Sequence, residues 1–207
     1  MITALACALG FLSGSIPFGF LIGKLFYKID IRKSGSGNIG AANALRTMGK
    51  PGAAVVLLLD GAKGFAPVFA VLHLFGSATL LCAAVGCATV LGHIYSPWLG
   101  WRGGKGVATS MGVIIALSWI AGAICIGAWV IGMLITGYSS VGSLAANLLA
   151  PLALWVATRE TPLAAYGIFA AAFILYTHRD NIVRLRQGRE NRLWLSGKRG
   201  PTRANWQ

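Results

Sequence analysis

The stretch VATSMGVIIALSWIAGAICIGAWVIGMLITGY, residues 107–138, decides how many times this chain crosses a membrane. It is almost entirely apolar. It is too long for one transmembrane helix of roughly 20 residues, yet short for two. Small residues in its middle, SWIAGAIC at 118–125, permit a tight reversal of the chain. We therefore predict two short membrane helices here, joined by a turn.

The rest of the chain repeats this apolar character. Of its 207 residues, 56% are hydrophobic and 11% are charged, whereas about 25% are charged in a typical soluble domain. Further apolar runs lie at 2–23, 51–74, 79–99, 141–157 and 162–177. The pattern predicts an all-α, polytopic membrane protein that forms a single domain over residues 1–207. With two helices in 107–138, we predict seven short transmembrane helices, and the alternative is five.

The basic residues predict the orientation in the membrane. The formal net charge is +13, which in a soluble protein would suggest nucleic-acid binding. Here nearly all lysines and arginines gather in three polar segments, at 24–50, 102–105 and 179–207. Cytoplasmic segments of membrane proteins carry such an excess. We therefore predict an outside N-terminus, a basic cytoplasmic C-terminal tail over 179–207, membrane lipids as neighbours and no nucleic-acid partner.

The segment SGSGNIGAANALR, residues 34–46, has the composition of a phosphate-binding loop. Its glycines allow backbone N–H groups to turn toward an anion, and the hydroxyls of Ser34 and Ser36 add donors. Arg46 can bind phosphate oxygens in a bidentate manner, and Asn43 lies three residues before it on a predicted helix. The alternative is a flexible loop between two helices. The spacing excludes a Walker P-loop.

Two further polar segments are predicted to meet this loop at one membrane face. In GGKG, residues 103–106, Lys105 is a mobile positive charge framed by glycines that allow close approach of a ligand. Alternatively, Lys105 only extends toward lipid head groups. His178 and Asn181 lie three residues apart and share a helical face if the helix continues, or else form a polar helix end. Ser143, in TGYSSVGS, is a weaker candidate.

A few ionisable residues lie within or beside the apolar runs. Asp60 and Lys63 are three residues apart in the second run, where burial of either charge alone would be costly. They form a structural ion pair or support the site, and the sequence leaves both open. His93 lies near GGKG and is placed to orient that segment.

The chain lacks the residues that other chemistries require. It has five Asp and Glu residues in total, so a two-metal centre is not expected. It has no G-x-S-x-G elbow and no H-x-x-x-x-D motif. Its four cysteines lie in apolar runs and form no C-x-x-C pair. We expect neither a metal nor a cofactor.

Three motifs, in this order, resemble those of the PlsY family, the bacterial membrane-integral acyl-phosphate:glycerol-3-phosphate acyltransferases. The motif SGSGN-x-GA-x-N-x-x-R is matched by residues 34–46, and GH followed by GGKGVAT is matched by 92–93 and 103–109. The third motif, RH-x-x-NI-x-RL-x-x-G-x-E, is matched by 178–190. There are two departures: Thr177 replaces the arginine of the third motif, and Ala42 stands where Thr or Ser is often found.

The resemblance implies transfer of a fatty acyl group from acyl phosphate to the 1-hydroxyl of glycerol 3-phosphate, giving lysophosphatidic acid and phosphate in bacterial phospholipid biosynthesis. It implies a multi-pass protein of the plasma (inner) membrane with a cytoplasmic active site, and we expect a monomer. The acyl phosphate head group is expected at Ser34, Gly35, Ser36, Gly37 and Asn38. Glycerol 3-phosphate is expected at Asn43, Arg46, Gly103, Gly104, Lys105, Ser143, His178 and Asn181. Arg46, Lys105 and His178 are the expected catalytic residues.

Two points remain open from the sequence. The proton of the acceptor hydroxyl passes either to the phosphate of the donor or to His178. A small transporter for a phosphorylated solute is the alternative function, since Gly-rich loops and cationic clusters also suit one. Against a transporter, the cations gather at one membrane face, and no inverted repeat is visible.

Overall fold

A computed structural model of the chain describes residues 1–76 and 78–193. All regular structure in these residues is helical, which confirms the predicted all-α class. The helices are α1 Ile2–Ser15, α2 Phe18–Phe26, α3 Ala41–Phe75, α4 Thr79–Ile94, α5 Val107–Leu117, α6 Trp119–Thr136, α7 Ser139–Thr158, α8 Thr161–Thr177 and α9 Arg179–Arg186. Short 3-10 turns lie at Ile31–Lys33 and Pro97–Leu99.

Five helical segments of the described chain are long and apolar enough to cross a membrane. They are Ile2–Phe26, which joins α1 and α2, then α3, Thr79–Leu99, α6 and α7. A sixth is α8 taken together with α9, which is bent from it by 59°. The multi-span membrane class is thus confirmed, while the count of seven stays a prediction.

The boundary between two helices that we predict within 107–138 lies at Ser118, while a reversal of the chain there stays a prediction. This residue is extended (φ −161°), so α5 ends before it and α6 begins after it. Its hydroxyl accepts a hydrogen bond from the backbone N–H of Ala121 at 3.3 Å, which caps α6. With 11 residues, α5 is only ~17 Å long, about half of the hydrocarbon thickness of a bilayer.

The helices pack as a bundle with an apolar exterior. Helix α1 packs on α4, α3 on α5, α6 on α7, and α7 on α8, while α4 also contacts α8. Many large apolar side chains face outward, among them Leu58, Leu74 and Ile135, each at least 70% exposed. So large an apolar surface is unfavourable in water, and it suits contact with lipid chains.

Side-chain contacts separate the two ends of the bundle. At one end, Lys105 Nζ donates to Asn181 Oδ1, and Arg46 donates to the carbonyl of Asn191 at 3.4 Å. At the other end, the turns before α4 and α8 meet, where Thr79 Oγ1 donates to Glu160 at 3.4 Å. The polar segments that the sequence predicts to converge do therefore meet at one end, which we call the site end.

Breaks in three helices shape the site end. The first apolar run is interrupted at Ile16 and Pro17, between α1 and α2. Helix α3 is kinked at Gly49, where φ is 74°, so its first turns, which carry the first-motif residues, point away from the rest. The helix after α8 does not continue straight, because the chain bends at His178. His178 and Asn181 therefore do not share one face of a continuous helix, as we predict from the sequence. His178 lies at the bend, and Asn181 lies on α9.

The described part of the predicted basic tail returns over the bundle. After α9, the N–H of Leu193 donates to the carbonyl of Gly137 at 2.8 Å. The Nε of Arg192 lies 3.4 Å from the hydroxyl of Tyr138. Residues 187–193 thus cross the start of α7. The remainder of the predicted tail, residues 194–207, lies outside the described residues.

Candidate active site

The first loop, residues 34–40, is organised by one side chain from the first turn of α3. Asn43 is 1% exposed, and its Oδ1 accepts the backbone N–H of Ser36 at 2.7 Å. Its Nδ2 lies 2.8–3.0 Å from three backbone carbonyl oxygens, those of Ile31, Ser34 and Asn38. Because its donors are used within the loop, Asn43 positions the loop. The predicted direct contact of Asn43 with glycerol 3-phosphate is not supported.

The loop closes on Asn43 only because residue 35 is glycine. Gly35 has φ of 60°, and a Cβ there would overlap the Oδ1 of Asn43. The loop is otherwise open to solvent: residues 35–37 are exposed, and Ser34 is half-buried. The N–H groups of Ser34, Ser36 and Gly37 already donate to nearby oxygen atoms of the chain, so the hydroxyls of Ser34 and Ser36 are the main donors that this fixed frame presents to an anion.

The second loop, residues 103–106, is held by the end of α4. The N–H of Gly103 donates to Ile94 O at 2.9 Å, and the N–H of Gly104 donates to His93 O at 3.1 Å. The ring of His93 lies directly against Gly104, where any Cβ would overlap its Nε2. The predicted orienting role of His93 thus has a structural basis.

Lys105 bonds directly to the third motif, and a carboxylate of that motif extends the network. Its Nζ donates to Asn181 Oδ1, and Asn181 Nδ2 donates to Glu190 Oε1 at 2.5 Å. Glu190 also accepts hydrogen bonds from Arg184 at 2.7 Å and from Ser140 of α7 at 3.0 Å. The network therefore ties α7, α9 and the second loop together.

Charge at this end of the bundle is unbalanced. Arg46, Lys105 and Arg184 interact electrostatically with one another and with Glu190. Burial and, next, the neighbouring Arg184 together lower the pKa of Lys105 to about 8, against the opposing effect of Glu190. Arg46, Lys105 and Arg184 outnumber the carboxylates of Glu190 and the nearby Asp180, so a net positive charge remains, which favours a phosphate anion.

His178 occupies the corner between α8 and α9 and is 3% exposed. Its Nδ1 lies 2.9 Å from the backbone carbonyl oxygen of Ile174. A carbonyl can only accept, so Nδ1 carries the hydrogen. In the neutral ring, Nε2 is then an acceptor, which suits a hydroxyl donor better than a phosphate oxygen.

The sequence prediction missed two residues of this site. Glu190 was matched within the third motif but was not assigned to the site, although a lone carboxylate in so basic a tail is a usable signal. Ser140 was passed over for Ser143. In the structure, Ser140 contacts Glu190, whereas the Ser143 hydroxyl donates to its own helix at Ser139 O, 2.8 Å away. To bind phosphate, the Ser143 hydroxyl would have to rotate.

A groove runs beside the two loops and changes from polar to apolar. Its polar part, with a volume of about 350 Å³, is lined by Gly37 and Gly103 of the two loops and by the charged residues Asp30, Arg32, Lys33 and Arg102, of which Arg32 is ion-paired with Asp30. Its apolar part, about 320 Å³, is lined by Ile16, Pro17, Phe20, Leu21 and Trp98. Leu99 lines both parts. The combination suits an amphiphile with an anionic head.

A family model described as glycerol-3-phosphate acyltransferase matches residues 4–188. The chain belongs to this family. Its relatives include several proteins named glycerol-3-phosphate acyltransferase. One, from Synechococcus sp. (strain JA-2-3B'a(2-13)), is 42% identical over 97% of this chain and 100% of the relative. One from Brucella suis (strain ATCC 23445 / NCTC 10510) is 40% identical over 93% of this chain and 94% of the relative.

Solved structures of the family share the fold. The crystal structure of PlsY (YgiH), an integral membrane glycerol 3-phosphate acyltransferase, in its glycerol 3-phosphate form has a TM-score of 0.89 and 38% identity. The lysophosphatidic acid form of the same protein has a TM-score of 0.88. In each case the match covers 94% of this chain and 96% of the other chain. The predicted resemblance to the PlsY family is confirmed.

Proposed function

We propose that this acyltransferase moves a fatty acyl group from acyl phosphate to the 1-hydroxyl of glycerol 3-phosphate, in bacterial phospholipid synthesis. The observation that carries the proposal is the cluster at the site end, where Arg46, Lys105 and the α9 residues gather around one carboxylate. The family relationship supplies the acceptor, because a solved relative has a glycerol 3-phosphate form.

The two substrates take different parts of the site. Glycerol 3-phosphate binds at Arg46, Gly103, Gly104, Lys105, His178 and Asn181, with Ser143 as a weaker contact. The head group of acyl phosphate binds the Ser34–Asn38 cradle, and its chain follows the apolar groove past Phe20 and Trp98. Gly37 and Gly103 line the same polar groove, so this placement brings the donor head group next to the acceptor.

The reaction requires no covalent enzyme intermediate. The acceptor oxygen forms a bond to the acyl carbon, the bond from that carbon to the phosphate oxygen breaks, and phosphate leaves. Phosphate is a good leaving group, so the protein has to orient both substrates and stabilise negative charge. The cations Arg46 and Lys105 and the donors of the first loop supply both, since the Gly103 and Gly104 N–H groups already donate to carbonyls of α4. The hydroxyl proton goes to the departing phosphate.

In this scheme His178 holds a glycerol hydroxyl through Nε2 and does not accept its proton. Replacement by glutamine keeps a hydrogen-bonding group at the position of Nε2 but cannot serve as a base. We expect H178Q to raise the KM for glycerol 3-phosphate while kcat falls less than about tenfold, since loss of a general base costs roughly 10²–10⁴-fold. A fall of that larger size, with KM unchanged, would assign the proton to His178.

For the membrane arrangement, we propose seven membrane segments in one domain over 1–207. The N-terminus would be outside and the tail cytoplasmic, in a monomer of the bacterial inner membrane. Support comes from the turn at Glu160, which meets the start of α4 at the end of the bundle opposite the site end. Cysteine accessibility in oriented vesicles tests this proposal. Labels at Lys50 and Lys198 should react from the cytoplasmic side, and one at Arg159 from the outside.

The activity test uses purified protein in detergent with a long-chain acyl phosphate and glycerol 3-phosphate. We expect phosphate release that depends on both substrates, with lysophosphatidic acid identified by mass spectrometry. Acyl-CoA and acyl carrier protein thioesters are tested as alternative donors. Product formed only from a thioester would refute the proposed donor. No product with any donor, together with solute uptake into liposomes, would favour a transporter.

A further inference from the structure

A buried charged cluster lies in the bundle directly behind the second loop. Asp60 and Lys63 of α3 have side chains that are 2% exposed, and Lys63 Nζ lies 2.7 Å from Asp60 Oδ1, which confirms the predicted ion pair. His93 of α4, also 3% exposed, places Nδ1 3.8 Å from the same Oδ1. These groups are costly to bury, and a purely apolar core would avoid the cost.

On one side, the cluster contacts the break between α1 and α2. Lys63 Nζ donates to the carbonyl of Ile16 at 2.6 Å. This carbonyl, at the break, also accepts the backbone N–H of Phe18 at 3.1 Å, so the ammonium adds a second, charged donor that fixes its position. Ile16 and Pro17 line the apolar part of the groove. Lys63 thus fixes the wall along which an acyl chain would lie.

On the other side, the cluster contacts the second loop. The Nδ1 of His93 lies 3.2 Å from Thr109 Oγ1, at the start of α5, and this contact fixes the rotation of the ring. The ring lies against Gly104, and the His93 carbonyl accepts the Gly104 N–H at 3.1 Å. Lys105 is the next residue. The position of its backbone is therefore set by His93 on one side and by Thr177, which donates to the Lys105 carbonyl, on the other.

The hydrogen-bond directions fit a positioning role. The Asp60 Oδ1 atom is fully buried, and although it is close to Lys63 Nζ it has no well-directed hydrogen bond among the described residues. It interacts with Lys63 through charge, and it contacts His93 Nδ1 at 3.8 Å, which is too far for a hydrogen bond. One carboxylate oxygen thus contacts groups on two helices, α3 and α4.

We propose that Asp60, Lys63 and His93 act as positioning residues, which set the acyl groove and the Gly103–Lys105 backbone at a fixed separation. None of the three touches a substrate in this proposal. It rests on the proposed function, since the two elements that they join are the two proposed substrate sites. Disturbing the cluster should therefore loosen the second loop and weaken acceptor binding, even where the fold survives.

The test compares D60N/K63M with the wild-type protein in detergent. The double variant removes both charges together, so no lone buried charge is left to unfold the bundle. H93F is the second variant, because it keeps a ring against Gly104 while removing the contacts to Thr109 and Asp60. T89V is the matched control: Thr89 is buried on α4 one turn before His93, and among the residues that the structure describes its hydroxyl bonds to Val85 O of the same helix.

Two measurements are made on each protein. The first is the steady-state KM for glycerol 3-phosphate, and we expect a rise of about tenfold in both cluster variants with a smaller change in kcat. The second is hydrogen–deuterium exchange of the peptide containing residues 100–109, which reports the Gly103 and Gly104 amides without any need for activity. We expect faster exchange in the cluster variants and wild-type exchange in T89V.

Unchanged exchange and unchanged KM in a folded cluster variant would overturn the proposal. So would equal changes in T89V at the same loss of melting temperature, because these would reflect stability alone. If D60N/K63M does not fold, H93F decides by the same two measurements. A wild-type protein without acyl transfer would refute the proposed function, and the exchange data would still decide whether the cluster holds the loop.

Discussion

The two glycine-containing loops of the site are built in opposite ways. The first loop is fixed by Asn43, a side chain of the helix that immediately follows it. In the second loop, two backbone N–H groups donate to carbonyls of α4, and the lysine bonds to Asn181, which is 76 residues away. The first loop is thus a local structure that its own sequence specifies. The second acquires its shape only when four helices have assembled, so its geometry depends on distant residues.

The largest expected effect comes from N43D, which breaks the local frame. Aspartate keeps the acceptor of Asn43 but replaces its donor with an oxygen that would face three carbonyl oxygens. Loss of two donors to carbonyl acceptors costs ~1–3 kcal/mol each, so we expect kcat/KM for acyl phosphate to fall by at least about 30-fold. Initial-rate kinetics measures this.

The control for N43D is T47S, one turn further along α3, which keeps the hydroxyl bond to Asn43 O. It should retain near-normal activity and thermal stability. If N43D were active at the level of T47S, the view that one side chain organises the first loop would be wrong.

Next in size is K105M, which tests whether the loops serve different substrates. We expect the KM for glycerol 3-phosphate to rise by about 10–100-fold, because a hydrogen bond between a charged group and phosphate contributes ~1.5–3 kcal/mol. The KM for acyl phosphate should change little. S36A, in the first loop, should show the reverse pattern with a smaller effect. If either variant changed the KM values for both substrates equally, the view that the two loops serve different substrates would be wrong.

The second loop should also respond to pH, and the first should not. The pKa of Lys105 is lowered to about 8, so the residue is charged at pH 7 and mostly neutral at pH 9. The charged form binds phosphate, hence the KM for glycerol 3-phosphate should rise roughly tenfold from pH 7 to 9. In K105R this rise should disappear because arginine stays charged at both pH values. The KM for glycerol 3-phosphate should be higher than in the wild type at pH 7. A no-enzyme blank corrects for alkaline hydrolysis of the donor.

The same contrast explains what the sequence could predict. The all-helical membrane class follows from the apolar runs, and the first loop from adjacent glycines and serines, because both are local properties. The boundary between two helices at Ser118 was likewise visible as a run of small residues. The part played by Asn43 was not visible, since composition does not show whether an amide faces a ligand or the loop backbone.

The misses concern residues whose partners are far away in sequence. Glu190 looked like part of a solvated tail, yet it accepts hydrogen bonds from α7 and α9. The bend at His178 was not predicted either. It allows Asn181 to reach Lys105, and this contact between residues distant in sequence is not visible in the local pattern. Periodicity identifies the face of a helix but not the element that packs on it, so the second loop and its support required the assembled bundle.

The smallest expected effect is at Ser140, and it measures how far the support of the second loop is shared. Its hydroxyl gives one of the three hydrogen bonds to Glu190, and the bonds from Asn181 and Arg184 remain in S140A. A neutral donor contributes ~0.5–1.5 kcal/mol, and part of this is absorbed by the remaining partners, so the KM for glycerol 3-phosphate should rise about threefold. S139A removes the neighbouring hydroxyl from the same turn of α7 and leaves the Glu190 bond in place. An effect of S140A as large as that of K105M would mean that Glu190 is held through α7 alone, and that the second loop, like the first, depends on a single side chain.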